Sequence, residues 1–93
     1  MAEVRLARRA EKDLDALTKR VAVRVLNALE ALGEDPGAEQ LDVKPLVGRR
    51  PWRRMRVGDY RVLFKVADRG RIVLVARVID RRDLERALTT LPD

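Results

Sequence analysis

Apolar positions in the first third of the chain recur at helical spacing. Ala10, Leu14, Leu17 and Val21 fall at steps of four, three and four, and Val25, Ala28, Leu29 and Leu32 continue the stripe. The spacing predicts a helical hairpin that begins near Arg8 and bends near Thr18, where a threonine N-cap opens the second helix. Gly33 reads as its C-cap, and Pro36 blocks any continuation. Before the hairpin, residues 3–7 read as a short strand with Val4 and Leu6 on one face. After it, residues 33–48 read as a loop with room for one further turn.

The pattern then changes to alternation. Residues 52–57, 60–66 and 71–79 read as three strands, the last nearly continuous in β-branched and aliphatic residues, as a central strand should be. Residues 80–91 suit a short C-terminal helix, with Asp80 near its start and Leu84, Leu88 and Leu91 on one side. A strand, two helices and a run of strands joined by short turns imply an α+β domain over residues 1–93. The helical hairpin packs on one face of a small antiparallel sheet, and the other face is left to solvent or a ligand.

Gly58-Asp59 joins the first two strands of the run. Two residues with glycine first suit a type II′ turn, which pairs Val57 with Tyr60. Alternation from that pair sends Met55, Val57, Tyr60, Val62, Phe64 and Val66 to the helix face, and Trp52, Arg54, Arg56, Arg61, Leu63 and Lys65 to the other. Arg56 then lies opposite Arg61, a like-charge pair that opposes folding by roughly 0.2–1 kcal/mol. The next turn reads as a three-residue loop, Asp68-Arg69-Gly70, which would bring Arg77 beside Arg61 and complete a row of three arginines. Trp52 has two readings on that face, a packed edge residue or a surface on which a base stacks.

Charge distribution sharpens this picture. The chain carries +6 in all, and residues 44–61 alone hold seven Lys/Arg against one Asp/Glu, which is also +6. A basic block on one face of a sheet is the footprint of a phosphate-bearing partner. The chain has no cysteine, histidine or serine. Their absence excludes Ser-His-Asp and Cys-His chemistry, His or Cys metal sites, and an imidazole base. No metal or other cofactor is expected. The N-terminus is charged throughout, so neither a signal peptide nor a membrane span is expected, and the cytoplasm is the expected location.

The helical hairpin with "AEKDLDAL" and "LNALEALGEDP", followed by "VKPLVG", "RRMRVGDYRVLFKV", a hydrophobic strand and "DRRDLERAL", resembles the RelE/ParE superfamily of bacterial type II toxins. "RVGDYRVLF" is the most specific part of the likeness, which covers nearly the whole chain. The resemblance implies a RelE-like fold and a metal-independent endoribonuclease that cuts messenger RNA on the ribosome, inhibits translation and is restrained by a cognate antitoxin. By similarity, Arg54, Arg56 and Arg61 match basic residues around the scissile phosphate, and Arg81 matches a further one. The slots that often hold histidine and tyrosine are occupied by Asp80 and, approximately, Glu85.

Such cleavage needs a base, an acid and stabilisation of charge on phosphorus. Arginines supply the last, and a carboxylate must supply proton transfer because arginine stays protonated. Asp80, Asp83 and Glu85 lie nearest Arg81 and Arg82 in sequence, and Glu85 is the expected catalytic carboxylate beside Arg54, Arg56, Arg61 and Arg81. Lys44, Arg49, Arg50, Trp52, Lys65, Arg77 and Arg82 complete the expected RNA-binding set. Two other functions stay open: a ParE-like inhibitor of DNA gyrase without chemistry of its own, and a non-catalytic RNA-binding module. The expected partner is an acidic, partly disordered antitoxin that wraps the domain and folds on binding.

Overall fold

The computed structural model describes residues 1–92; Asp93, the last residue of the expected domain, lies outside them. The chain runs β1 (Glu3–Leu6), α1 (Arg8–Asp15), α2 (Lys19–Glu34), β2 (Val43–Pro45), β3 (Arg53–Val57), β4 (Tyr60–Ala67), β5 (Ile72–Asp80) and α3 (Leu84–Leu88). A short 3₁₀ turn, Arg81–Asp83, leads into α3. The described residues form a five-stranded sheet in the order β1-β5-β4-β3-β2.

The helices break where their sequence allows it. Thr18 accepts a hydrogen bond from the Val21 amide at 3.4 Å, which starts α2. The apolar stripe faces the sheet: Ala10, Val25, Leu29 and Leu32 are buried against Met55, Val57, Val62, Phe64, Val73, Val75 and Val78. Leu14, Leu17, Val21 and Ala28 pack around this core.

Strand β5 is an interior strand, as its sequence implied, between β4 and β1. Pairs β2/β3, β3/β4 and β4/β5 are antiparallel, whereas β1 joins β5 in parallel, with Glu3 opposite Ile72 and Leu6 opposite Val75. The helical hairpin carries the chain from β1 at one edge of the sheet to β2 at the other, and β3, β4 and β5 then return to β1. Strand β2 falls in the stretch read as loop; three residues ending in proline carry too little alternation to announce a strand.

The sequence reading is corrected at three further points. Gly33 is no C-cap: it lies inside α2, buried, and α2 ends at Glu34. A Cβ there would sit 2.8 Å from Val4 Cγ2 and 3.2 Å from the Ala2 carbonyl oxygen, whose residue donates its own amide to the Gly33 carbonyl at 2.7 Å. The β4-β5 loop has four residues rather than three, because Ala67 pairs with Ile72. A β-bulge then adds one more on β5: Phe64 pairs with Val75 and Leu63 with Arg77, leaving Ala76 over. The two extra residues cancel in parity but not in position, so Arg61 faces Ile79 instead of Arg77.

The sheet's second face is the third correction. Part of it is closed by α3, under which Leu46, Trp52, Leu63, Ala76, Ile79 and Ala87 form a smaller core. Leu84, Leu88 and Leu91 pack around it, so the leucine spacing read from the sequence does mark the docked side of this segment.

The close approach at Gly33 yields a test. Gly→Ala in an exposed helix normally stabilises by about 1 kcal/mol. Here Gly33→Ala is expected to destabilise by about 1–3 kcal/mol through overpacking against Val4 and the Ala2 backbone, read as a lower midpoint in urea denaturation.

Candidate phosphate-binding face

Gly58 has φ +59°, the left-handed value that a leading glycine supplies in a type II′ turn. Val57 pairs with Tyr60 and Arg56 with Arg61. The face assignments for the rest of the hairpin follow: Met55, Val57, Val62 and Phe64 enter the main core. Arg54 lies between Leu63 on β4 and Lys44 on β2, so a cation on each of β2, β3 and β4 meets this face.

Arg61 is folded back over the turn. Its Nη1 donates to the carbonyl oxygens of Gly58 and Tyr60, both at 3.0 Å. Burial, followed by the charges of Arg54, Arg56 and Arg81, pushes its guanidinium below the ordinary arginine value. Arg81 reaches this group from the other end of the chain. Its amide donates to the Asp59 carbonyl at 2.8 Å, which ties the 3₁₀ turn to the hairpin tip. Four arginines thus gather at one end of the second face, and the fold opposes their mutual repulsion. Arg54 Nη1 is buried and has no hydrogen-bond partner among the described residues. An anion laid across the exposed part of the group would relieve the repulsion.

The other expected site residues are dispersed. Trp52 is 3% exposed and donates from Nε1 to the Pro92 carbonyl at 3.1 Å, so its stacking reading is overturned in favour of packing. Lys65 Nζ sits 5.1 Å from the Trp52 ring centroid, a cation-π contact. Arg77 is not in the arginine row: it forms a bidentate pair with Asp13 on α1, Nε to Oδ2 at 2.8 Å and Nη2 to Oδ1 at 3.1 Å. Arg49 is exposed and donates to the Leu88 carbonyl at 3.1 Å, holding the end of α3. Arg50 lines an open hollow of about 750 Å³ with Leu46, Trp52 and Arg53, just before the cis Arg50-Pro51 bond.

The carboxylates near Arg81 divide in the same way. Asp80 Oδ1 accepts from the Arg82 amide at 2.9 Å and from Arg82 Nε at 3.0 Å, and Oδ2 accepts from Nη2 at 3.2 Å. Those hydrogen bonds hold the Asp80 carboxyl below its usual range, and the same pairing raises Arg82. Asp83 pairs with Arg86 at 3.3 Å. Glu85 is exposed on α3 and makes no ion pair or side-chain hydrogen bond among the described residues.

Two nearby residues escaped the sequence reading. Arg24 on α2 lies against the hairpin turn: a Cβ on Gly58 would come within 2.7 Å of its Nη1. Asp42, just before β2, is the one carboxylate whose charge raises Arg61, and its carbonyl accepts from the Arg56 amide at 2.9 Å. Neither had a signal, since both come from elements far from the hairpin in sequence. Among the described residues no group of three or more His, Cys, Asp or Glu is placed to hold a metal ion, and no helix is long and apolar enough to cross a membrane.

A helical hairpin on one face of a five-stranded mixed sheet, with a short C-terminal helix on part of the other, is the RelE-like α+β fold. The toxin of an archaeal RelE-RelB complex from Pyrococcus horikoshii OT3 is similar at 28% identity and TM-score 0.72, over 86% of this chain and 94% of that one. The RelBE2 toxin-antitoxin complex from Mycobacterium tuberculosis is similar at 30% and 0.70, over 86% and 98%. A mutant of the E. coli toxin RelE in the free state matches in fold, at 22% and 0.74, over 97% and 93%. No curated protein sequence matches the chain. The family model described as the ParE toxin of the type II toxin-antitoxin system parDE matches residues 4–85. The chain belongs to that family, within the RelE/ParE superfamily, and is a type II toxin.

The crowding of Arg56 against Arg61 is directly measurable. Arg56→Gln is expected to stabilise the free protein by up to about 1 kcal/mol at low salt. The gain should shrink as salt screens the repulsion, which paired urea titrations at low and high ionic strength would read.

Proposed function

We propose that this toxin holds RNA phosphates on Arg54, Arg56, Arg61 and Arg81 and cleaves messenger RNA on the ribosome without a metal. The observation that carries this reading is the gathering of those four charges at one end of the sheet, where Arg56 lies opposite Arg61 and the Arg81 amide is tied to the hairpin tip. In the reaction, the 2′-oxygen bonds to phosphorus as the 5′-oxygen leaves, giving a 2′,3′-cyclic phosphate and a 5′-hydroxyl. Guanidiniums gripping the non-bridging oxygens stabilise the added negative charge. One proton leaves the 2′-hydroxyl and one reaches the 5′-oxygen. Glu85, unpaired among the described residues, is the proposed carrier, with RNA geometry imposed by the ribosome.

A cognate antitoxin belongs to the same proposal. Relatives of this chain are solved as toxin-antitoxin complexes, and a +6 chain calls for an acidic partner. Both would act in the cytoplasm.

A second reading has its own support. The matching family model is that of ParE, and the carboxylate that pairs with the arginine group, Asp59, meets Arg81 only at 3.9 Å, too long for a hydrogen bond. A ParE-like toxin would inhibit DNA gyrase as a protein ligand and perform no chemistry.

Translating ribosomes incubated with purified protein, with messenger RNA ends mapped alongside a gyrase supercoiling assay, distinguish the two. New 5′-hydroxyl ends are expected, reduced by about 10²–10³ in Arg61→Ala. Intact messenger RNA together with inhibited gyrase would overturn the first reading. Glu85→Gln is expected to slow cleavage by about 10²–10⁴, and an unchanged rate would remove Glu85 from proton transfer.

A further inference from the structure

We infer that Asp13, on α1, is a positioning residue that sets the place of Arg81 by pinning the β-bulge in β5; the inference rests on the arginine face being the working surface. Asp13 is only 17% exposed at its side chain, and Arg77 only 13%. One carboxylate takes three hydrogen bonds: from Arg77 Nε at 2.8 Å, from Arg77 Nη2 at 3.1 Å and from the Val78 amide at 2.9 Å. The remaining arm of Arg77, Nη1, donates to Thr90 Oγ1 at 2.9 Å, and Thr90 donates to the Ala87 carbonyl at 2.6 Å. A single arginine therefore links α1 to the segment that follows α3.

The location of this link gives it a consequence beyond packing. Strand β1 pairs with β5 only as far as Val75, so the edge of β5 from Ala76 onward has no strand beside it. Asp13 takes the Val78 amide in place of a strand. The bulge lies at the same point, since Ala76 is the residue left over between the Phe64-Val75 and Leu63-Arg77 pairs. Loss of that extra residue from the pairing would move every later residue of β5 to the opposite face. Tyr60 would no longer meet Asp80, and the Arg81 amide would no longer fall on the Asp59 carbonyl. By gripping Arg77 and Val78 together, Asp13 holds the bulge in place and thereby the phase of Asp80 and Arg81. A buried ion pair by itself seldom adds net stability over apolar side chains, so a purely stabilising role accounts poorly for so complete a set of bonds.

Native-state hydrogen exchange tests this without RNA. In Asp13→Ala, protection of the Arg81 amide is expected to fall at least about tenfold further than that of the β4 core amides Val62 and Phe64. Asp13→Asn, which keeps the size and an acceptor oxygen, is expected to show a smaller loss and guards against a misfolded alanine variant. Equal loss of protection at Arg81 and in the core, in both variants, would overturn the inference. In the ribosome assay, Asp13→Ala is expected to lower kcat with little change in KM, and to have no further effect in an Arg81→Ala background. Losses that simply multiply would overturn it. If the wild-type protein does not cleave, the proposed reaction fails while the exchange result still decides the role of Asp13.

Discussion

Val57 meets Tyr60 across two residues because Gly58 adopts a φ of +59°, and that pairing governs the sheet. Side chains alternate with a period of two, so a slip by one residue would expose Met55, Val62 and Phe64 and bury arginine. The cost of burying guanidiniums holds the register as firmly as the gain from burying Phe64. Arg54, Arg56 and Arg61 consequently share a side whatever they do to one another.

The second face has two halves of opposite character. Beneath α3 it is apolar, with Trp52, Leu63, Ala76 and Ile79 excluded from water. Toward the hairpin tip it is charged, with Arg61 crowded by Arg54, Arg56 and Arg81. Repulsion there opposes folding, and the apolar half supplies burial that offsets it. The segment that carries α3 also carries Arg81, so docking of the C-terminal segment and completion of the arginine group are one event. Trp52 Nε1, Arg49 and Arg77 each bond to that segment and hold it down.

Local signals were strong enough to read the hairpin, the helix break at Thr18 and the leucine stripe of the C-terminal segment. Each rests on periodicity or on one residue with a distinctive backbone preference. What escaped was non-local. The parallel partner of β1, the coverage of Trp52 and the approach of Val4 to Gly33 depend on packing between distant segments. The bulge at Ala76 is harder still, because its signature is an arginine that can reach Asp13, 64 residues away in the chain. The arginine cluster was legible since alternation places three members, whereas Glu85 followed from sequence proximity to Arg81 and points into solvent.

A face that holds phosphate must release counterions when RNA binds. For single-stranded RNA each neutralised phosphate contributes about −0.7 to the slope of log affinity against log salt concentration. Four engaged arginines predict a slope of about −3, and an Arg56→Ala/Arg61→Ala double variant should be shallower by about 1.4. The same slope in both proteins would contradict a phosphate-holding role for these arginines.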